Sequence, residues 1–124
     1  MNAERKALRE TVRLAVTAAP DSSGAIFIRR TGTRETPTAD LRFRRNEQVR
    51  VEIPTASSDP PTARLLDRNG QLLAVPVSAA VRDDADGSRW HTAQLALAPL
   101  AAGDYVIELA AGSKRALAAF RVVQ

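Results

Sequence analysis

The chain has 124 residues, a length for one domain, and 44% of them are hydrophobic, but 23 residues are alanine, so the core is modest. It has no cysteine and one histidine, His91, which excludes disulfides, thiolate metal sites and any site needing two imidazoles. The net charge of +4 comes from 16 Arg and 2 Lys against 14 acids spread along the chain, which favours solubility over a nucleic-acid footprint.

Residues 1–20 read as an N-terminal strand or linker segment ahead of a sandwich domain over 21–124. Leu8, Val12 and Ala15 or Val16 fit one helical face; Leu8, Val12, Leu14 and Val16 also fit strand alternation, with Glu10 out of pattern. The β-branched Thr11, Val12, Val16 and Thr17 favour a strand over 9–18. No apolar run approaches the ~18 residues of a membrane span. Charges at Glu4, Arg5, Lys6, Arg9 and Glu10 interrupt the start, so any export signal is expected upstream.

Pro20 to Gly24 is turn chemistry, and 25–30 is a short strand with Ile26 and Ile28 on one face and Phe27 and Arg29 on the other. Residues 31–40, with Gly32 and Pro37, read as a polar loop. Leu41 and Phe43 then alternate with Arg42 and Arg44. The clearest strand follows, with Val49, Val51 and Ile53 inward and Arg50 and Glu52 outward, ended by Pro54. Residues 55–61 are a loop. Residues 63–67 and 71–73 flank Arg68-Asn69-Gly70, where Asn69 and Gly70 supply the best hairpin signal in the chain because both residue types tolerate positive φ. Val75, Val77, Ala79 and Val81 alternate, but Pro76 lacks a donor and pushes this strand to an edge or a bulge. A second turn over 83–88 leads past Trp90 to Ala93, Leu95 and Leu97. Tyr105, Ile107 and Leu109 make the next inward set. Gly112-Ser113-Lys114 turns the chain into a last strand carrying Phe120 and Val122. Short strands punctuated every ten or so residues predict an all-β, antiparallel, immunoglobulin- or fibronectin-like sandwich of seven to nine strands.

Leu100-x-x-Gly103-x-Tyr105 carries the most structural information. A leucine, a glycine turn and a tyrosine at a strand start resemble the tyrosine corner of such sandwiches, where the phenol packs inside and its hydroxyl bonds upstream backbone. The Cys–Trp–Cys core of antibody domains is absent, so the likeness is to the architecture. A narrower resemblance rests on Pro37-Thr-Ala-Asp40, Phe43-Arg-Arg45, Ala63-Arg-Leu-Leu-Asp67-Arg-Asn-Gly70 and the stretch from Leu97 to Leu109. These look like the C-terminal region of bacterial, Acidobacteria-type proteins carrying a von Willebrand factor A-related domain. That resemblance implies a β-sandwich appended to an exported A-domain protein and supplies no functional residues. The A-domain metal motif is missing, since Asp21-Ser-Ser23-Gly-Ala25 lacks its second serine and leads into a strand.

The run Asp83-Asp84-Ala85-Asp86-Gly87-Ser88 invites calcium, but an EF-hand register with Gly87 at loop position six puts Arg82 and Ala93 at positions one and twelve, where carboxylates are needed. A polar hairpin turn fits better. His91 has no nucleophile motif near it and reads as structural or surface-exposed. Glu52 and Glu108 sit on outward positions, where solvated charge is the default. Arg42, Arg44 and Arg50 form a candidate ligand face for an acidic glycan or another anion, but Phe43 points inward and aromatics are only 4%, which disfavours stacking on single-stranded nucleic acid. The sequence therefore predicts no catalytic, cofactor or metal site. The resemblance to A-domain proteins implies an accessory module of a larger exported bacterial protein whose partner is protein, either a neighbouring A-type domain or another chain. The alternative is an anion- or glycan-binding sandwich using the arginine face.

Overall fold

The computed structural model describes residues 24–124, so the expected strand over 9–18 lies outside the described residues. Ten strands follow in chain order: β1 (Ile26–Thr31), β2 (Arg34–Thr38), β3 (Arg42–Arg44), β4 (Gln48–Thr55), β5 (Thr62–Asp67), β6 (Leu72–Leu73), β7 (Ser78–Asp83), β8 (Arg89–Ala96), β9 (Gly103–Ala111) and β10 (Lys114–Val123). They form two five-stranded sheets, β2-β1-β4-β8-β7 (sheet A) and β3-β10-β9-β5-β6 (sheet B). Pairing is antiparallel except between β3 and β10, which run parallel. The all-β sandwich expected from the punctuated alternation is the fold observed.

Strand alternation fills the space between the sheets. Phe27, Val49, Val51, Ala93 and Leu95 from sheet A meet Phe43, Leu65, Ile107, Leu109, Ala118, Phe120 and Val122 from sheet B in one buried cluster. A chain of rings ties β1, β3, β10 and β9 together. Phe27 and Phe43 are tilted with centroids 6.4 Å apart, Phe43 meets Phe120 edge-on at 5.9 Å, and Phe120 stacks on Tyr105 at 5.9 Å. Such pairs add about 0.5–1.5 kcal/mol each beyond their burial, and with few aromatics in the chain this row anchors one half of the core.

Three expectations need correction. The stretch read as a polar loop over 31–40 contains β2, because Gly32 at φ +64° turns the chain back at once. Pro37 is tolerated there since β2 is an outermost strand with one unpaired side. This strand carries the total past the seven to nine expected. The alternating stretch from Val75 onward forms a strand only from Ser78; around donor-less Pro76 the backbone leaves the ladder, though Val75 and Val77 still pack on the core. Glu52 and Glu108 do face outward, as alternation required, but they are buried at 5% and 4% exposure because arginines lie over them.

Both long hairpin turns share one bonding scheme. Gly70 N donates to Asp67 O and Asp67 N to Gln71 O, both at 2.9 Å; Gly87 N donates to Asp84 O at 3.0 Å and Asp84 N to Ser88 O at 2.8 Å. Each is a three-residue loop closed by a glycine of positive φ, +82° at Gly70 and +92° at Gly87. The Asp67 carboxylate braces the first loop by accepting from the backbone N–H of Asn69 and Gln71.

Candidate functional site

The outward face of sheet A is covered by a ladder of ion pairs. Register places Arg50 beside Ile28 and Gln94, and Glu52 beside Ile26 and Thr92. The Arg50 guanidinium donates to both oxygens of Glu35 at 3.0 and 3.1 Å and to Glu52 at 3.0 Å. Arg82 donates to the other oxygen of Glu52 at 2.8 Å and also to Asp84, while its guanidinium carbon sits 5.2 Å from the Trp90 ring centre. Trp90 Nε1 completes the ladder with a 3.2 Å bond to Asp84. The hydrogen bond from Arg50 holds the Glu35 carboxyl below its ordinary pKa, and Glu35 in turn raises that of Arg50. These cations already have covalently tethered carboxylates, so an anion from solution would have to displace an intramolecular partner.

A second cluster clamps one end of the sandwich. Glu47 is buried and accepts from Arg29 Nη1 at 2.7 Å, Thr31 Oγ1 at 2.9 Å and the backbone N–H of Arg44 at 2.8 Å. Arg29 also donates to the carbonyls of Asp40 and Arg42 and lies 4.5 Å over the ring of Phe43. Burial pushes the pKa of Glu47 up, but its three donors outweigh that and the net direction is down.

The sequence-predicted residues do not assemble into one site. Arg42 and Arg44 lie on β3 in sheet B, and Arg50 lies on β4 in sheet A. Arg42 pairs with Asp40, whose pKa is lowered by that contact, and Arg50 is held in the ladder, so the three cations do not converge. The structural set fares differently. Leu100 is buried, Gly103 opens β9 opposite Val122, and the Tyr105 hydroxyl donates to Ala101 O at 2.7 Å while its ring packs on Phe120. Asn69 and Gly70 form the β5–β6 hairpin described above. In the acidic turn, Asp83 pairs with Arg89, Asp84 with Arg82 and Asp86 with Ser88, and the described residues contain no group of three or more potential metal ligands.

No family model and no curated protein matches this chain.

His91 points between the sheets near Ile53 and Leu109, at the floor of an open cavity of about 620 Å³ rimmed by Ser57, Asp59 and Lys114. Its Nε2 is buried and has no hydrogen-bond partner among the described residues.

The sheet edges differ in a way that alternation could not foretell. Sheet A ends on β2 at one side, blunted by Pro37, Arg34 and Glu35, and on β7 at the other. Sheet B ends on the three-residue β3 and the two-residue β6. Among the described edge strands, only β7 combines length with a neutral run, Ser78-Ala79-Ala80-Val81, and Val81 is 42% exposed. The bond from Asp84 N to Ser88 O fixes the parity of the β7–β8 ladder. By that parity Ala80 and Arg82 turn their backbone groups to β8, and Ala79, Val81 and Asp83 turn theirs outward. Pro76 hinted at an edge; the open donors and acceptors of β7 needed the sheet order.

Proposed function

We propose that this chain is an immunoglobulin-type sandwich acting as a non-catalytic interaction module, which receives an extended strand of a neighbouring A-type domain along β7. The observation that carries the reading is the open, neutral edge of β7. Unpaired N–H and C=O groups of a long edge strand are a template for pairing, and most folded proteins blunt them with charge, proline or brevity. The other three described sheet edges are blunted in those ways; on β7 charge is confined to Arg82 and Asp83 at one end, and Ser78–Val81 is neutral.

Several features support the immunoglobulin type. The order β1-β4-β8-β7 against β10-β9-β5 matches the ABED and GFC sheets of such sandwiches, and the bond from Tyr105 to upstream backbone has the form of a tyrosine corner. The A-type neighbour and export rest on the resemblance of 37–45, 63–70 and 97–109 to C-terminal regions of bacterial A-domain proteins. Fold by itself does not assign function, and so the test is binding.

An A-type domain encoded beside this chain, produced separately, should bind it in isothermal titration. Val81→Pro removes one outward N–H without touching a β7–β8 bond and should weaken binding at least tenfold while leaving the melting temperature within a few degrees. Absence of such a domain from the gene, or binding indifferent to Val81→Pro, overturns the reading.

A further inference from the structure

His91 occupies a position that strand alternation gives to the core. It lies two residues before Ala93 on β8, pairs with Ile53 on one side and Val81 on the other, and is 6% exposed. Aliphatic side chains fill the same inner face at Ala93 and Leu95. At this position the chain instead buries an imidazole whose Nε2 has no hydrogen-bond partner among the described residues. A buried nitrogen left unsatisfied costs stability that a leucine there would not.

The ring lines the cavity of about 620 Å³, between Ile53 of sheet A and Leu109 and Ala116 of sheet B. That volume is typical of a small-molecule pocket. Its inner walls, Ile53, Leu109 and Ala111, are apolar and buried, and its rim is polar. The rim is also preformed. Ser57 N donates to Thr55 Oγ1 and Asp59 N to Ser57 Oγ, both at 3.0 Å, and the Asp59 carboxylate rests against the β9–β10 turn in the space a Cβ on Gly112 would need. Asp59 and Lys114 bring one charge of each sign to this rim, and neither forms an ion pair with another described residue.

These groups define a ligand chemistry. Opposite charges at the mouth give no net attraction for a simple anion or cation, which favours a neutral or zwitterionic molecule. The buried walls accept an apolar body, and a ring carries a terminal hydroxyl to a fixed depth with few torsions to freeze. A hydroxyl both donates and accepts, so it satisfies the imidazole in either tautomer. The terminal torsion of a histidine is broad, so a modest rotation brings the unbonded Nε2 to the cavity surface. We propose that this cavity binds a small neutral or zwitterionic molecule whose hydroxylated aromatic ring enters first and hydrogen-bonds His91. The site is independent of strand addition at β7.

His91 is the only histidine in the chain, so its imidazole nitrogens give unambiguous NMR signals in the intact protein. p-Cresol and L-tyrosine carry the same ring on a neutral and a zwitterionic body. At least one of them should shift those signals saturably, and at least fivefold more tightly than its counterpart without the hydroxyl, toluene or L-phenylalanine. The tighter of the two shows whether the charges at the mouth take part. In His91→Leu, followed through the amide signals of Ile53, Leu109 and Ala111, the preference for the hydroxyl should vanish. Shifts that fail to saturate with both probes, equal affinity with and without the hydroxyl, or a preference that survives His91→Leu would each overturn the proposal.

Discussion

Glu47→Gln should be among the most damaging single-atom changes in this protein. The substitution keeps shape but replaces a buried carboxylate by an amide with one acceptor and an added donor. The carboxylate holds three donors, Arg29, Thr31 and the Arg44 N–H, at 2.7–2.9 Å, and the amide cannot serve all three. Hydrogen bonds to charged groups contribute about 1.5–3 kcal/mol each, and removing one partner of a buried pair costs about 3–5 kcal/mol. Arg29 remains partly solvated, and it keeps its bonds to the Asp40 and Arg42 carbonyls and its place over Phe43, so the lower part of that range applies. We expect a loss of about 2–3 kcal/mol in urea unfolding, or a melting temperature lower by about 10–15 °C for a domain this size.

The pH dependence gives the sign. The folded-state pKa of Glu47 is depressed, so its contribution is fully present above the ordinary glutamate value of 4.5 and fades as pH falls through the lower folded value. The gap between wild type and Glu47→Gln should therefore close on acidification below pH 4.5. A loss under about 0.5 kcal/mol at neutral pH, the level of an exposed ion pair, or a gap that widens in acid, would refute the clamp.

Three further outcomes follow from single contacts. Tyr105→Phe keeps the stack on Phe120 and removes only the bond to Ala101 O, so it should cost about 0.5–1.5 kcal/mol by chemical denaturation, far less than Tyr105→Ala. His91→Leu removes a buried nitrogen with no partner among the described residues and should leave stability equal or raise it by about 1 kcal/mol, whereas a large loss would mean that the imidazole has a partner in solution. Gly112→Ala forces a side chain onto φ +60° and into the space held by the Asp59 carboxylate, and should destabilise by more than about 1 kcal/mol in the same assay.

The fold was legible because core-facing residues recur with a period of two in Val49-Val51-Ile53 and in Tyr105-Ile107-Leu109, and because Asn69-Gly70 and Asp86-Gly87 mark reversals. β2 was hidden by its composition, since an edge strand with Pro37 and charged neighbours has no buried face to write an alternating pattern. Glu52 and Glu108 were placed on the correct face but assigned the wrong environment. Alternation reports direction, whereas burial of an outward acid depends on which arginines reach over it: Arg50 from the same strand and Arg82 from two strands away for Glu52, and Arg64 and Arg115 from the two flanking strands for Glu108. The same long-range pairing separated Arg42 and Arg44 from Arg50, which adjacency along the chain had grouped. Glu47 gave no periodic signal at all; it lies in a turn, and its value comes from three donors gathered from two strands, Arg29 and Thr31 on β1 and the Arg44 N–H on β3.

Residue-resolved amide exchange along β7 tests the open edge most directly. In the chain alone, Ala79, Val81 and Asp83 should exchange fast while Ala80 and Arg82 are protected by β8, and all five should become slow once an A-type domain, the partner proposed above, is added. Uniform protection of β7 in the isolated chain, or outward amides that stay fast in the complex, would contradict strand addition at this edge.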